Sequence, residues 1–288
     1  MPPHLTVLQR TNLDGFPKAG ELIEITGAHE LEASDRAILN LLYQHAHDSG
    51  RLGDRDAEWE IPMAALRASR HKGSERIRDS IDRLLRVVVT VPLPSPSSCS
   101  ACGETARILK THLFDFFELP ADEASERGTV RFGLPKRLQP VLARSNRWGR
   151  IKAEVVCAMT SKYAMAVYEL VCLRANMARC IETFTVERFR DLLGVPPGAY
   201  ANGAHFWIKV IEPAVLEVNG LSDIGVQIEL VRRHSRAPVT AVTLVWWKKQ
   251  GDEFRSAVQE RGRSKMGRMA RLRGTVEMVA PLNLPPLV

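Results

Sequence analysis

The second half of the chain contains three helical segments followed by a two-stranded hairpin, and this order constrains the fold more than any other feature. Apolar residues recur at spacings of three and four within each segment, as on the inward face of a helix. The predicted helices cover residues 160–176, 185–194 and 203–219. Thr160 and Thr185 are the expected N-caps of the first two helices, and Gly194 stands just past the second. Alternating apolar residues at 226–230 and 240–244 predict the two strands.

Three helices and a hairpin in this order predict a winged helix, a fold whose third helix commonly enters the major groove of DNA. Asn202, His205 and Lys209 are expected on the outer face of that helix, where Asn can pair with adenine and Lys with guanine. Its inward face is predicted to consist of the apolar residues Phe206, Val210 and Ala214, and Trp207 is expected in the core rather than on the sugar-phosphate edge. Pro213 must then kink the helix or restart it as a second short helix.

The turn between the two predicted strands carries Arg232, Arg233 and Arg236 and contains no acidic residue. It is either an ordinary polar turn or a contact to DNA phosphates or a narrow minor groove, for which arginine is well suited. Lys248 and Lys249 follow the second strand and are further candidates for phosphate contact. We therefore expect the hairpin to contribute charge and the third helix to contribute base preference.

The first half of the chain repeats this order more loosely. Helices are predicted from Ser34 or Asp35 to Asp48, from Pro62, and from Ser74 to about Leu85, followed by strands at 87–91, 107–119 and 130–132. Its candidate DNA contacts are Arg70, Lys72, Arg76 and Arg78. The predicted fold class is therefore α+β, with two tandem winged-helix domains and a basic C-terminal tail.

One predicted strand of the first half is unusually apolar. Leu113, Phe114, Phe116 and Phe117 all lie between Ile108 and Leu119. These side chains either fill an ordinary core from alternate sides of the strand or form a surface for dimerisation.

The formal net charge of the 288-residue chain is +7, and most of it lies near the C-terminus. Nine Lys or Arg residues face three acidic ones between Lys248 and Arg273, which predicts a flexible basic tail able to reach phosphates. The predicted division is an N-terminal arm at 1–30, a dimerising and DNA-contacting domain at 31–147, the main DNA-binding domain at 148–250, and the tail at 251–288.

Several classes of protein are not expected. No apolar run approaches about 18 residues, so no membrane contact is predicted. No signal pattern precedes the five cysteines, which argues for a reducing, cytoplasmic location. Motifs for nucleotide hydrolysis and for serine or zinc hydrolases do not occur, so neither an enzyme nor a cofactor is expected. Cys99 and Cys102 form a lone CxxC in a loop, and His45 and His47 point apart on a helix, so neither pair predicts a metal site.

Three ordered blocks of the chain resemble the Rep3 superfamily of plasmid replication initiators. The blocks are Thr160–Ala164 with Tyr168-Glu169-Leu170, Phe184-Thr185 with Leu192–Val195, and Glu212-Pro213-Ala214 with Glu217-Val218-Asn219. The resemblance is close over residues 159–248, and elsewhere it is limited to the order of helices and strands. It departs at 201–209, where members of the family are often more basic and this chain has one lysine.

The resemblance implies a protein that binds directly repeated sites, called iterons, in a double-stranded plasmid origin. It also implies that the protein melts adjacent AT-rich DNA, recruits the host initiator and replicative helicase, and represses its own gene as a dimer. Three alternatives stay open: a two-winged-helix transcriptional regulator without a role in initiation, a nuclease-type initiator using His45 and His47, and a protein-interaction module.

Overall fold

The computed structural model describes residues 4–67, 74–93, 107–121, 128–234 and 237–275. Five residues singled out from the sequence lie outside these ranges: Arg70, Lys72, Cys99, Cys102 and Arg236. Within the described residues the chain forms two successive units of helices and strands, in agreement with the predicted α+β class.

The first unit is built around one long helix and several short strands. Its elements are β1 (Phe16–Ala19), α1 (Gly20–Ile23), α2 (Ala33–Asp48), β2 (Glu58–Pro62), α3 (Ser74–Arg86), β3 (Val88–Pro92), β4 (Ile108–His112), β5 (Phe116–Glu118), β6 (Thr129–Gly133) and α4 (Gln139–Arg144). A 3₁₀ turn at Met63–Leu66 replaces the second predicted helix and buries the side chains at both of its ends. The long strand predicted at 107–119 is two strands, because the chain turns between them.

The second unit has the predicted order of three helices and a hairpin. Its elements are β7 (Trp148–Ile151), α5 (Ala153–Ala158), α6 (Lys162–Arg174), β8 (Ile181–Thr185), α7 (Val186–Leu193), α8 (Gly203–Phe206), a π-helical turn (Trp207–Ile211), α9 (Glu212–Leu221), β9 (Ile224–Val231) and β10 (Ala241–Lys248). Two further helices follow, α10 (Gly251–Gly262) and α11 (Arg268–Leu272).

The described strands form four antiparallel arrangements. The first unit has a sheet in the order β2-β6-β5 and a separate pair, β3-β4. The second has a sheet in the order β8-β10-β9, in which β10 is central and the register runs from Ala241 opposite Val231 to Lys248 opposite Ile224. The fourth is the pair β1-β7, which joins the start of the chain to the start of the second unit.

The structure corrects the expectation of a free N-terminal arm. Residues 16–19 pair with β7, and the side chains of Phe16, Leu22 and Ile23 are buried. Residues 148–151, at the predicted boundary between the two domains, supply the partner strand. β7 lies so close to α6 that a Cβ at Gly149 would approach the backbone nitrogen of Leu173 to 2.6 Å. Glycine is required there because the strand and helix backbones touch.

The basic tail is also not flexible over its described part, contrary to the expectation. α10 and α11 pack on α9, and a Cβ at Gly220 would lie 2.2 Å from the Leu272 side chain. Glu260 faces three arginines, listed here with their closest distances: Arg271 at 2.6 Å, Arg263 at 3.4 Å and Arg268 at 3.6 Å. One carboxylate thus pairs with three of the nine basic side chains between Lys248 and Arg273.

The helix caps differ in part from those predicted. Thr185 caps α7 as expected, accepting from Arg188 N at 3.2 Å, and Gly194 ends that helix in the left-handed conformation at φ 68°. Helix α6, however, is capped by Ser161, whose Oγ accepts from Ala164 N at 3.3 Å. In α2 the N-cap is Glu32, which forms a capping box with the third residue of the helix.

Of the apolar residues expected either in the core or at a dimer surface, Leu113 and Phe114 lie in the core and Phe117 packs against it, whereas Phe116 is half-buried and the dimer interpretation is untested there. Leu113 and Phe114 are each 1% exposed. The ring of Phe114 lies 4.8 Å from that of Phe117 and 5.8 Å from that of Phe132. No dimer surface is therefore available at Phe114.

A buried polar triad ties the two units together. Lys18 of β1 donates from Nζ to Glu169 Oε1 of α6 at 2.8 Å and to Asn40 Oδ1 of α2 at 3.1 Å. Asn40 Nδ2 donates to the same carboxylate oxygen at 2.6 Å. Burial lowers the pKa of Lys18, while the adjacent carboxylate opposes this shift. Glu169 is the partner that offsets the cost of burying the Lys18 ammonium.

We expect Glu169→Gln to lower the free energy of unfolding by about 3–5 kcal/mol, because it leaves the Lys18 ammonium buried without a countercharge. The double variant Lys18→Met/Glu169→Leu removes both charges and should lose less than the single variant. Urea denaturation of the full chain measures both. Asp56→Asn is the matched control, since it breaks the Lys136–Asp56 pair, whose side chains are 71% and 81% exposed, and should have no measurable effect. A single variant as stable as this control would show that the triad does not hold the units together.

Candidate nucleic-acid interface

The N-terminal part of the third helix protrudes from the second winged helix. Phe206 and Val210 are buried and anchor it to the core, as predicted. Its exposed residues are Ala204, His205, Trp207, Ile208 and Lys209. Trp207 was expected in the core but is 38% exposed, and Ile208 is 51% exposed.

A π-helical turn lets this helix continue past Pro213. Glu212 N donates to Trp207 O, five residues back, instead of four. A proline has no N–H and clashes with the carbonyl four residues before it, and the wider turn changes the register just upstream. The chain therefore neither breaks nor restarts, so a single helix runs over residues 203–221.

The loop before the helix is fixed by Arg190 of α7. Its guanidinium donates to Tyr200 O at 3.1 Å and to Ala199 O, and it lies 4.9 Å from the centre of the Phe206 ring. Asn202 is the N-cap, with Oδ1 accepting from Ala204 N at 2.7 Å. Asn202 is thus at the exposed start of the helix, as expected, but its carbonyl oxygen already serves the helix backbone.

The wing and the helix meet at Gly203. The Nη2 atom of Arg232 lies 2.6 Å from where a Cβ of Gly203 would be. The guanidinium thus lies against the first turn of the helix, and a side chain at position 203 would displace it. Arg233 follows in the exposed turn. The protruding helix and the wing therefore form one continuous surface, with Arg232 at their junction.

Lys248, the last residue of β10, and Lys249, which follows it, differ completely in exposure. Lys248 is exposed, in agreement with a role in phosphate contact. Lys249 is 4% exposed and donates from Nζ to Asn219 O and, at 3.2 Å, to Ser222 O. Burial lowers the pKa of Lys249 to about 8. Lys249 is therefore not a DNA contact but a cap on the carbonyl end of α9.

The back of the helix is held by residues of the blocks that carried the family resemblance. Glu217, 1% exposed, accepts from Thr160 N at 3.0 Å and from Ser161 N at 2.9 Å, at the start of α6. Asn219 accepts from Val226 N at 2.7 Å and donates to Val226 O at 2.9 Å. These residues orient the helix and do not face the protruding surface.

The corresponding helix of the first unit, α3, is less suited to contact DNA phosphates. Arg76 is exposed, but Arg78 is half-buried and donates from Nη2 to Pro120 O at 2.6 Å. The other exposed residues of α3 are Glu75, Asp79, Asp82 and Arg86. Three carboxylates on this face would repel the DNA backbone.

Sequence reasoning missed Ile208, Trp207 and Arg190. The exposure of the first two depends on the π-helical turn, which shifts the helical register and leaves no simple periodic pattern. Arg190 could have been suspected because it lies on the polar side of α7, one turn before the Pro-rich loop that it holds.

Among the described residues, no group of three or more His, Cys, Asp or Glu side chains is close enough to hold a metal ion. His47 instead lies 3.1 Å through Nε2 from Thr6 O. None of the helices in that part of the chain is long and apolar enough to span a membrane.

Comparison with known structures gives one informative likeness. A crystal structure of the Pi initiator protein in complex with iteron DNA is 12% identical, with a TM-score of 0.59 over 82% of this chain and 97% of that chain. At this identity the likeness shows the fold alone. Domains 2 and 3 of RctB are 10% identical, over 75% of this chain and 82% of that one, with a TM-score of 0.43 that is too low to support a shared fold.

Comparison with protein families is decisive, although no curated protein matches the chain. Residues 18–172 match Rep3_N, described as "Initiator Replication protein, WH1". Residues 185–246 match Rep3_C, described as "Initiator Rep protein, WH2". The two matches follow each other in the order of the two structural units. Since the first alone spans more than half of the 288 residues, the chain belongs to the Rep3 family of replication initiator proteins.

Proposed function

We propose that the protein initiates plasmid replication by binding repeated double-stranded sites in the origin through its second winged helix. The observation that carries this proposal is the contact between Arg232 and Gly203, which places the exposed helix tip and the wing on one surface. An α-helix fits into the major groove of DNA, and the wing then lies beside the adjacent sugar-phosphate backbone. The Pi protein, whose fold this chain shares, is an initiator seen with iteron DNA.

The surface divides into two kinds of contact. His205 and Lys209 on the helix can donate to acceptors on base edges. Arg232 and Arg233 at the turn of the wing supply positive charge for phosphates, and Lys248 supplies it from the opposite end of β10, where it pairs with Ile224. Asn202 has a capping role first, and any base contact would use its amide nitrogen.

We also propose different roles for the two halves of the chain. Residues 148–250 form the main DNA-binding domain, and residues 31–147 contribute dimerisation and a weaker DNA contact through Arg76 and the segment around Arg70 and Lys72. The acidic outer face of α3 supports the weaker role. Bound monomers would suit direct repeats, whereas a two-fold dimer would suit an inverted repeat at the protein's own promoter.

Melting of AT-rich DNA and recruitment of the host initiator and helicase complete the proposal. Membership in the initiator family supports these steps over the alternative of a transcriptional regulator with the same fold. The protein is proposed to act through DNA binding rather than through strand cleavage.

The wing is expected to supply ionic contacts. Arg233→Ala and Lys248→Ala should each lower the slope of log K against log salt by about 0.9, because each removes one phosphate contact. The preferred base sequence should survive. Fluorescence anisotropy on a duplex from the origin, at several salt concentrations, measures the slope.

Lys249→Met is the control for that series. Its side chain is buried, so the salt slope should equal that of the wild type even if the variant is less stable. Thermal unfolding verifies that each variant is folded at the temperature used. Unchanged slopes for both Arg233→Ala and Lys248→Ala would place the DNA on another face.

The initiator function itself predicts protected direct repeats and autonomous replication. One monomer should protect about two turns of DNA if both units contact successive grooves about 10.5 bp apart. The gene and its flanking DNA should maintain a plasmid that lacks another origin, and Lys209→Ala should abolish maintenance. Tight binding to an inverted repeat alone, without plasmid maintenance, would favour the regulator.

A further inference from the structure

The exposed helix tip carries two parallel stripes of different chemistry. Ala204 and Ile208 are four residues apart and apolar, and His205 and Lys209 are four residues apart and polar. Residues at this spacing lie one turn above each other on the same side of a helix. A DNA groove that receives this tip therefore meets an apolar stripe directly beside a stripe of hydrogen-bond donors.

Beside Trp207, which is 38% exposed, Ile208 is the most exposed large apolar side chain of this helix tip. It is 51% exposed, whereas Phe206 and Val210 on either side are 1% and 0% exposed. The described C-terminal helices do not cover it, because they pack against α9 further along the helix, where Gly220 meets Leu272. Ile208 thus keeps a branched apolar side chain in solvent on the surface proposed to meet DNA.

The major groove offers one apolar feature, the C5-methyl group of thymine. Aliphatic side chains gain free energy there because contact removes both the methyl and the side chain from water. Guanine O6 and N7, in contrast, accept hydrogen bonds from a lysine or a protonated histidine. The chemistry of the two stripes therefore matches a thymine next to a guanine.

We propose that Ile208, with Ala204 beside it, is a specificity-determining residue that recognises thymine methyl groups in the origin repeats, adjacent to guanines contacted by Lys209. This inference rests on the proposed DNA-binding function and adds the residue and base that set part of its preference. It also accounts for the low number of basic residues at 201–209, since apolar contact supplies part of the base discrimination and the wing supplies the charge.

The test uses the full-length protein and duplex DNA carrying the sequence that the wild type selects from random duplexes. Each thymine of that sequence is replaced singly by deoxyuridine, which lacks the methyl group. At one or two positions next to a guanine, wild-type affinity should fall about threefold to fourfold, corresponding to about 0.8 kcal/mol for one buried carbon. Ile208→Ala should bind the thymine duplex more weakly and show no further loss with uracil at those positions.

Ile181→Ala is the matched control. Ile181 is 50% exposed, close to the 51% of Ile208, but it lies on β8. This variant should keep the full uracil effect at every position. The comparison separates loss of a methyl contact from a general effect of removing an exposed isoleucine.

Two results would overturn the inference while leaving the proposed function intact. Uracil could have no effect on wild-type affinity at any position, or its effect could persist unchanged in Ile208→Ala, which would assign the methyl contact to another residue. If the wild type selects no sequence at all from random duplexes, the proposed function fails together with the inference.

Discussion

The buried carboxylate of Glu217 fixes the third helix of the second unit, and the rest of that unit depends on the position of this helix. It sits on α9, is 1% exposed, and accepts hydrogen bonds from Thr160 N and Ser161 N at the start of α6. A buried carboxylate is stable only when donors surround it, and here the orphan N–H groups at a helix start provide them. The contact fixes the angle between α6 and the long third helix. The protruding tip at 203–209 and the wing take their positions from that angle.

Helix α6 also contacts the first unit, so it connects the third helix to that unit. Its Glu169 lies in the buried triad with Lys18 and Asn40, and its backbone touches β7 at Gly149. The order of elements assigns α6 to the second winged helix, yet the first family match extends into it, to residue 172. The two units therefore share this helix as their common support. The proposed major-groove helix of the second unit is connected to α2 of the first through two buried carboxylates, Glu217 on α9 and Glu169 on α6.

The order of the second winged helix was predictable because its apolar spacing and its caps, Thr185 and Gly194, are local. Contacts between distant segments were not. The pairing of residues 16–19 with 148–151 joins strands that carry Pro17 and Gly149, so neither showed a strand pattern. The tail is structured because Glu260 gathers three arginines, which a charge count cannot show. At the site, Lys248 and Lys249 are indistinguishable in sequence, and only the strand's end decides that one faces solvent and the other caps α9. The exposure of Trp207 and Ile208 follows from the π-helical turn before Pro213. The sequence predicted a kink or a restart of the helix at Pro213 and not such a turn.

Hydrogen–deuterium exchange of the full chain, with and without a duplex from the origin, tests whether the tip of the third helix and the wing together form the DNA surface, because amides covered by DNA exchange more slowly. We expect slower exchange at residues 203–211 and at the wing ends of β9 and β10, with no change in α10. Protection that spares residues 203–211 and appears instead on α10 or on the outer face of α3 would mean that DNA binds another surface.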